Sequence, residues 1–313
     1  MSKKTVSVII VAWNAQAYVL ECLDTLLTHA AGRPLEIIAV DNASSDGTPA
    51  VIEERFPTVR VIRNCKNLGF AKANNMGIRE STGDYVCLLN SDVKLMDDCF
   101  SPMIRFMESH PDVGILGPQM IDPTLQIARS TMRFPTLWNT LTRYTGVDLL
   151  FPKPRSSGTL LNSDFDHRET RDVEVLNGWF WMVRRSALHK VGLLDERFFM
   201  YGEDLDWCYR FQKAGQRVVF FAGAKAFHYG GASTASSPRF FAFQMERANL
   251  QLFGKHYGLL SRSAFWLICL LGNFMRAARY GTVWLFKPSA RKNVLPKYQR
   301  RIACVWWLIR GGP

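Results

Sequence analysis

The first 90 residues alternate between short β-branched runs and longer segments with apolar residues at helical spacing. The runs predict four strands: Val6 to Ala12, Glu36 to Val40, Val59 to Ile62 and Tyr85 to Leu89. The segments between them predict three helices: Ala17 to His29, Thr48 to Phe56 and Ala71 to Ser81. Such strands are buried on both faces, and their alternation with helices builds right-handed βαβ crossovers. The pattern predicts an α/β fold with a doubly wound, mostly parallel sheet and helices on both faces.

The pattern is less regular between Asp122 and Glu174, where prolines and scattered arginines favour long loops that cover a site rather than core. Order returns in three elements: an apolar run from Val175 to Arg184, a helix from Asp204 to Ala214, and a strand from Arg217 to Ala222. The chain then turns helical after Pro238. Its charge-free stretch from Ser263 to Met275 is well short of the roughly 20 residues needed to cross a bilayer.

The net charge of +12 is concentrated in the C-terminal part of the chain. No acidic residue follows Glu246, and 12 lysines and arginines do, whereas the preceding part has 27 of each sign. The basic residues are interleaved with Trp266, Trp284, Trp306 and Trp307. This composition favours a segment at an anionic membrane surface over nucleic-acid binding. Long apolar runs separate the basic residues, where a nucleic-acid-binding segment would have polar side chains that contact the bases. Helix packing onto the body is the alternative.

The seven cysteines include no CxxC pair and mostly lie in apolar stretches, so we expect reduced core residues of a cytoplasmic protein. At the N-terminus, Lys3 and Lys4 precede an apolar run that lacks a small-residue cleavage site. A buried first strand therefore explains this run better than a signal peptide does.

Polar residues follow each of the four predicted strands. They are Asn14, Asp41 with Asn42, the stretch 64–67, and Asn90-Ser91-Asp92. In a doubly wound sheet these ends open on one edge, where ligands bind. Asp41 can accept hydrogen bonds from a nucleobase or ribose, or it can simply end its strand in an Asx-turn. Asp92 can supply the carboxylate that Mg²⁺ or Mn²⁺ prefers, or the turn can merely start a loop.

The glycine positions argue against three classes of nucleotide enzyme. Gly69 precedes a predicted helix whose first turn contains Asn74, a setting suited to a phosphate or a base edge. No GxGxxG or P-loop sequence occurs, so hydride transfer and kinase chemistry lose their main support. A nucleotidyltransferase needs a glycine-rich basic loop after the first strand, where this chain has Ala12-Trp-Asn-Ala.

Acidic residues and one histidine in the second half are candidates for catalysis. Glu203 and Asp204 begin a helix after an apolar run. A carboxylate there can act as a general base, although acids in a first turn also favour the helix dipole. His228 lies between Phe227 and Tyr229. It is a candidate metal ligand or a packed, hydrogen-bonded core residue.

Together these segments resemble the family 2 glycosyltransferases of the GT-A fold, and among them the rhamnosyltransferase-like enzymes that build bacterial surface polysaccharides. Six matches run in family order over roughly residues 5 to 256: Val6-Ser-Val-Ile-Ile-Val with Asn14, Val40-Asp-Asn-Ala-Ser-Ser-Asp-Gly47, Asn67-Leu-Gly-Phe-Ala-Lys-Ala-Asn-Asn75, Leu88-Leu-Asn-Ser-Asp92, Asn177-Gly178, and Glu203-Asp-Leu-Asp206.

The resemblance implies roles for these positions. A nucleotide-diphosphate sugar would be bound by Ala12, Asn14, Asp41, Asn67, Asn74, Asn90, Ser91 and Asp92. Asp92 and His228 would hold a divalent metal, Mg²⁺ or Mn²⁺, on the diphosphate. The chain has Asn90 where many relatives have Asp, so only Asp92 brings charge to the metal and weak, substrate-dependent binding is expected.

On the acceptor side, Asp204 would be the catalytic base and Glu203 its neighbour, in a single displacement that inverts the anomeric centre. Asn177, Gly178, Trp179 and Arg129 would border the acceptor, although two of the three rings in Trp179-Phe-Trp181 can equally be core and Arg129 a solvated loop residue. We expect a glycan or lipid-linked acceptor and a peripheral location at the inner face of a bacterial cell membrane.

The resemblance also suggests how the chain is divided. Residues 1–256 would form the GT-A domain, with a nucleotide-binding half to about 120 and an acceptor half from about 121. Residues 257–313 would form a basic, apolar, helical segment that associates with the membrane. The donor that the resemblance favours is dTDP-rhamnose. A UDP-linked sugar and a non-catalytic, membrane-associated adaptor are the alternatives.

Overall fold

The computed structural model describes residues 4–30, 32–147, 165–230 and 238–311. The strands are β1 (Val6–Ala12), β2 (Leu35–Asp41), β3 (Arg60–Arg63), β4 (Tyr85–Asn90), β5 (Val93–Leu95), β6 (Val113–Ile121), β7 (Thr131–Met132), β8 (Arg171–Asp172), β9 (Val175–Leu176), β10 (Phe180–Arg184) and β11 (Arg217–His228). The α-helices are α1 (Gln16–Thr28), α2 (Thr48–Arg55), α3 (Phe70–Glu80), α4 (Phe100–Ser109), α5 (Leu137–Thr145), α6 (Arg185–Val191), α7 (Glu203–Lys213), α8 (Pro238–His256), α9 (Gly258–Phe286) and α10 (Arg291–Ile309).

Nine of these strands form one sheet in the order β3-β2-β1-β4-β10-β6-β11-β5, with β8 paired to β11. The first four strands are parallel neighbours, and β6 and β11 run in the same direction. Strand β10 is antiparallel to both β4 and β6, between which it lies. The predicted α/β architecture with a mostly parallel sheet is confirmed.

Helices cover both faces of the sheet, as predicted. On one face, Val8 and Ile10 join the main apolar core with residues of α1 and α4. Ile9 points to the other face, where Gly77 of α3 packs so closely that a Cβ atom would lie 2.5 Å from its side chain. This alternation follows from the two-residue period of a strand. All seven predicted elements of the first 90 residues are confirmed to within one residue at each end.

Two predictions for the second half of the chain need correction. The segment from Asp122 is not simply loop, since it contains β7 and the capped helix α5, and His167 is buried with its Nε2 2.9 Å from the hydroxyl of Thr131. Such long-range polar packing leaves no periodic signal in the sequence. Residues 148–164 of this segment lie outside the described chain. Strand β11 extends to His228 rather than ending at Ala222, because a register shift between Phe221 and Lys225 lets its pairing continue past Gly223.

The chain forms two compact units. One contains the sheet with α1 to α4, α6 and α7, and the other contains α5 and α8 to α10. Helix α8 therefore packs with the C-terminal helices, whereas the sequence placed a boundary after residue 256. Buried hydrogen bonds explain the grouping: Glu246 of α8 accepts from Tyr144 (2.6 Å) and Asn273 (3.1 Å), and Asn273 accepts from Arg301 (2.9 Å).

Helix α9 is longer than the sequence indicated. Its 29 residues continue through Arg262 and Arg276 on either side of the charge-free stretch. Among the described helices it is the one whose length and composition would allow it to cross a membrane, and only 22% of its most apolar part is buried. The helix is therefore longer than the charge-free stretch inside it, which itself contains only 13 residues.

Candidate active site

Parallel pairing brings the ends of three strands to one edge of the sheet. Ala12 of β1 is the register partner of Asp41 on β2, and Val11 is the partner of Asn90 on β4. The amide of Asn42 donates to the carbonyl of Ala12 (2.8 Å), which fixes the first two strand ends together. The predicted clustering of strand-end residues is thus present in the fold.

Asp41 has a buried carboxylate with spare acceptor capacity. Its Oδ2 accepts from the amide of Ser44 (3.2 Å), whereas its buried Oδ1 has no hydrogen-bond partner within the described chain. The loop beyond it is held by Asn14, whose Oδ1 accepts from the amide of Ser45 (2.8 Å). A buried acceptor without a partner is costly, so Asp41 is suited to receive a donor from a ligand.

Asn42 has a structural role that its place after the second strand did not indicate. Its Nδ2 donates to Asn67 Oδ1 (2.9 Å) and to the carbonyl of Gly69 (3.2 Å). Its Oδ1 accepts from the amide of Leu68 (2.9 Å) and from Asn64 Nδ2 (3.2 Å). This one buried side chain therefore fixes the conformation of the loop after β3. The sequence signal for this network is the set of asparagines that follows β2 and β3, namely Asn42, Asn64 and Asn67.

The start of α3 is fixed by an unusual backbone conformation. Gly69 has φ of +83°, and a Cβ atom there would lie 2.3 Å from the carbonyl oxygen of Phe199. That carbonyl accepts from the amide of Phe70 (2.7 Å). Only glycine fits this position, because it tolerates positive φ and has no side chain to collide with the Phe199 backbone.

Two neighbouring asparagines of α3 have internal partners. Asn74 is buried, and its Nδ2 donates to the carbonyl of Phe70 one turn earlier (2.9 Å). Asn75 exchanges hydrogen bonds with the backbone of Leu194, at 2.8 Å and 3.1 Å. The structure therefore gives Asn74 a contact within its own helix, and its predicted role beside the nucleotide stays a prediction.

Asp92 and His228 meet at the ends of neighbouring strands. His228 Nε2 lies 3.2 Å from Asp92 Oδ1, and both side chains are about nine-tenths buried. The indole of Trp179 packs on the imidazole, with ring centroids 4.5 Å apart. The carbonyl of Trp179 also accepts from the amide of Asn90 (3.0 Å), whose buried Oδ1 has no hydrogen-bond partner within the described chain.

This donor set fits a weakly held divalent cation. No group of three or more His, Cys, Asp or Glu side chains suited to a metal occurs in the described ranges. One carboxylate and one imidazole are ligands that Mn²⁺ or Mg²⁺ can share with phosphate oxygens and water. The residues therefore fit the predicted metal as long as a diphosphate completes its coordination.

A cluster next to His228 holds the end of β11 in place. Tyr229 donates its hydroxyl to Glu21 of α1 (2.7 Å), and Lys94 lies 3.2 Å from the same carboxylate. The hydrogen bond from Tyr229, together with the charge of Lys94, holds the pKa of Glu21 below its usual value despite partial burial. The amide of Tyr229 donates to the carbonyl of Asp92 (3.0 Å), so this cluster fixes both members of the Asp92–His228 pair.

The three aromatic side chains near Asn177 divide into two groups. Phe180 and Trp181 are buried in the core, where Trp181 packs against Trp207 at 5.4 Å. Trp179 is half-buried and is the ring that faces His228. The alternative that two of the three rings belong to the core is therefore the correct one.

The other predicted acceptor residues lie around the turn before β10. Asn177 donates to the carbonyl of Arg129 (3.5 Å), and its buried Oδ1 has no hydrogen-bond partner within the described chain. Gly178 faces the ring of Trp181, and the Arg129 side chain is exposed. Asn177 therefore contacts the backbone carbonyl of Arg129.

The acidic start of α7 contains three carboxylates in different settings. Asp206 is fully buried and paired with Arg210 (2.8 Å), so it supports the fold. Burial and the adjacent charge of Asp204 raise the pKa of Glu203 well above its usual value, and its buried Oε2 has no hydrogen-bond partner in the described residues. Asp204 is half-buried and accepts from the amide of Leu205 (2.8 Å). Asp204 is therefore the most accessible of the three.

The fold has clear structural relatives. The mannosyltransferase PcManGT from Pyrobaculum calidifontis, solved with GDP-Man and Mn²⁺, aligns with a TM-score of 0.56 and 16% identity over 99% of this chain and 88% of its own. S. aureus TarS 1-349, solved with UDP-GlcNAc, aligns with a TM-score of 0.53 and 16% identity over 99% and 82%. The sheet and its strand-end edge therefore define a protein of the GT-A class.

Sequence comparison gives the family. Residues 7–192 match the glycosyl transferase family 2 domain. The chain is 31% identical over 223 residues to the N-acetylglucosaminyl-diphospho-decaprenol L-rhamnosyltransferase of Mycobacterium tuberculosis, covering 68% of this chain and 72% of that protein. It is 23% identical to the O-antigen biosynthesis protein RfbC of Myxococcus xanthus, covering 67% of this chain and 16% of that protein. The chain belongs to glycosyl transferase family 2 and is a glycosyltransferase.

Proposed function

We propose that this enzyme transfers L-rhamnose from dTDP-rhamnose to a lipid-linked glycan acceptor, with inversion at the anomeric carbon and with the help of Mg²⁺ or Mn²⁺. The observation that carries the proposal is the buried Asp92–His228 pair at the strand edge where Asp41 keeps an unpartnered oxygen. The rhamnosyltransferase relative, which covers two thirds of the chain, supports the choice of sugar and acceptor.

The donor would be bound by the strand-end residues. Asp41 would accept a hydrogen bond from the base or ribose through its free Oδ1. Asn14 and Asn67 would hold the two loops that border the nucleotide. Asp92 and His228 would hold the metal, which when bound neutralises negative charge on the leaving diphosphate.

The acceptor would react on the opposite side of the sugar. Asp204 would take the proton of the attacking hydroxyl as the new glycosidic bond forms and the sugar–diphosphate bond breaks. Glu203, whose pKa is raised well above its usual value by burial and by the adjacent charge of Asp204, would lie beside the acceptor as the neighbour of the base. Trp179 would stack on a sugar ring of donor or acceptor, with Asn177 and Arg129 at the acceptor side.

Enzyme assays test the reaction directly. We would incubate the full chain and a short-chain prenyl-diphospho-N-acetylglucosamine acceptor with dTDP-rhamnose, UDP-linked sugars or GDP-mannose, and measure nucleoside diphosphate release. Rapid dTDP release that depends on acceptor and metal is expected only with dTDP-rhamnose. Turnover with a UDP-linked sugar instead would refute the donor assignment, and no turnover with any donor would favour the adaptor.

Substitution of the proposed base separates chemistry from binding. Asp204→Asn should lower the transfer rate by at least about 100-fold, the smaller end of what a general base contributes. Binding of dTDP, followed by the shift in melting temperature, should stay within experimental error of wild type. Asp24→Asn, which alters an exposed aspartate of α1, is the control. Near-normal turnover by Asp204→Asn would exclude Asp204 as the base.

The metal assignment has a readout that is independent of turnover. In the presence of dTDP, His228→Ala should weaken Mn²⁺ binding by roughly tenfold or more, because one of two protein ligands is lost. Electron paramagnetic resonance of free Mn²⁺ measures this directly. Equal Mn²⁺ affinity in both proteins would place the ion elsewhere.

We further propose that the enzyme works at the cytoplasmic face of the cell membrane, where a lipid-linked acceptor would meet a water-soluble nucleotide sugar. The basic, acid-free region after Glu246 supports this location, since anionic lipids attract such a segment. Cell fractionation provides the measurement. The enzyme should be recovered with inner membranes at low salt and in part released at high salt.

A further inference from the structure

One face of helix α9 is apolar and open to solvent. Its large side chains, between 49% and 89% exposed, are Leu260, Leu267, Leu271, Phe274 and Leu285. They are separated by 7, 4, 3 and 11 residues, which are close to whole numbers of helical turns and place them on one stripe. We call these five residues the α9 stripe. It extends over about 37 Å at 1.5 Å per residue.

The α9 stripe exposes apolar side chains to water, which is the opposite of the usual arrangement in a surface helix. A helix on the surface of a globular protein turns polar residues outward. Here the opposite face of α9 is the buried one, with Phe265, Cys269 and Ala277 packed inside the helical unit. An exposed apolar patch of this extent marks a surface that binds another apolar phase.

The charge around the α9 stripe indicates which phase that is. Twelve lysines and arginines follow Glu246 without a single acid, and several of them, including Lys287, Lys292 and Lys297, are exposed on or next to the C-terminal helices. A second copy of the chain would bring the same positive charge to the contact, whereas an anionic lipid surface complements it. We propose that the α9 stripe docks on an anionic membrane with α9 lying in the plane of the bilayer.

The in-plane orientation follows from the polar groups that α9 carries. Its charge-free stretch contains 13 residues, about 20 Å of helix, against a hydrocarbon core of about 30 Å. Its buried face contains Asn273, which hydrogen-bonds Glu246 of α8 and Arg301 of α10. A spanning α9 would carry this charged network into the hydrocarbon, at a high cost in free energy. Lying at the interface, α9 keeps the network inside the protein.

This inference extends the proposed location of the enzyme but is independent of its sugar chemistry. We would measure binding of the full chain to vesicles of phosphatidylcholine with and without phosphatidylglycerol by co-sedimentation. Wild type should bind the anionic vesicles, lose affinity as salt is raised, and exchange between vesicle populations within minutes. Leu267→Gln/Leu271→Gln/Phe274→Gln should reduce this partitioning by roughly tenfold or more, because three side chains lose their gain from leaving water.

A matched control uses the same chemistry elsewhere on the surface. Leu27→Gln/Met96→Gln/Leu125→Gln changes three exposed apolar residues of the other unit, 42%, 49% and 73% exposed, and should bind vesicles as wild type does. Both triple variants should retain the wild-type melting temperature and wild-type transfer to a water-soluble acceptor. The two assays therefore separate the two proposals. Loss of vesicle binding with normal transfer concerns the docking surface, and loss of transfer with normal vesicle binding concerns the sugar chemistry.

Three results would overturn the inference. Normal vesicle binding by the α9 variant would exclude the stripe as the docking face. Conversion of a wild-type dimer to a monomer by the same variant, measured by light scattering, would assign the stripe to a second copy of the chain. Failure of wild type to exchange between vesicles would indicate a spanning helix, whose insertion is effectively irreversible.

Discussion

Replacement of Asn42 by alanine tests whether one buried amide organises the nucleotide edge of the sheet. The Asn42 side chain makes three hydrogen bonds to the loop formed by Asn67, Leu68 and Gly69, and a fourth to Asn64. Alanine removes all four, and the partner groups in this half-buried loop must then bond to water or remain unpaired.

The size of the effect follows from the number of bonds. At a net value of about 1 kcal/mol each, the four bonds correspond to a loss of about 4 kcal/mol in the free energy of unfolding. For a unit of this size, 1 kcal/mol shifts the melting temperature by about 2–4 °C, so we expect a decrease of roughly 8–16 °C. Asn64→Ala is the matched control. It removes only one bond, at 3.2 Å, and should cost about 1 kcal/mol or less.

Differential scanning fluorimetry with and without dTDP measures both stability and binding. Asn42→Ala should also reduce the stabilisation that dTDP gives, because the loop that borders the nucleotide is no longer fixed. If Asn42→Ala melted within about 1 °C of wild type, or no lower than Asn64→Ala, the hydrogen bonds of Asn42 would contribute little and this account of the loop would be refuted.

Three further predictions address other parts of the site. Because the raised pKa of Glu203 keeps a proton in the folded protein that the unfolded chain loses, Glu203 reduces stability increasingly as pH rises. Glu203→Gln should therefore melt above wild type by a margin that grows as the pH rises above the usual glutamate pKa of about 4.3, and a constant margin in thermal scans would contradict the raised pKa. Gly69→Ala should lower the melting temperature by several degrees more than Gly192→Ala does, because both substitutions strain a backbone at positive φ but only the Cβ at position 69 would also collide with the Phe199 backbone. Tyr229→Phe should weaken Mn²⁺ binding with dTDP while changing the melting temperature little, and unaltered Mn²⁺ affinity would show that the bond to Glu21 does not position His228.

Local pattern alone determined much of this protein. The strands β1 to β4 and helices α1 to α3 follow from apolar runs and helical spacing, because those signals depend on nearest neighbours in the chain. The candidate residues Asp41, Asn90 and Asp92 also follow, since parallel strands necessarily bring their carboxyl ends to one edge. The family resemblance in the motifs is confirmed by the comparisons.

Contacts between distant residues were decided by the tertiary structure. The resemblance already assigned Asp92 and His228 to one metal, but only the fold shows them in contact at 3.2 Å across 136 positions of sequence. Only the fold separates the half-buried Trp179 from the buried Trp181. Only the fold shows that Asn42 is the centre of a hydrogen-bonded loop and that α8 packs with the C-terminal helices. It also turns the apolar side chains of the α9 stripe outward. The physical reason is the same in each case. Burial and pairing depend on which surfaces pack together, and the sequence pattern of a single helix or strand does not specify which other elements pack against it.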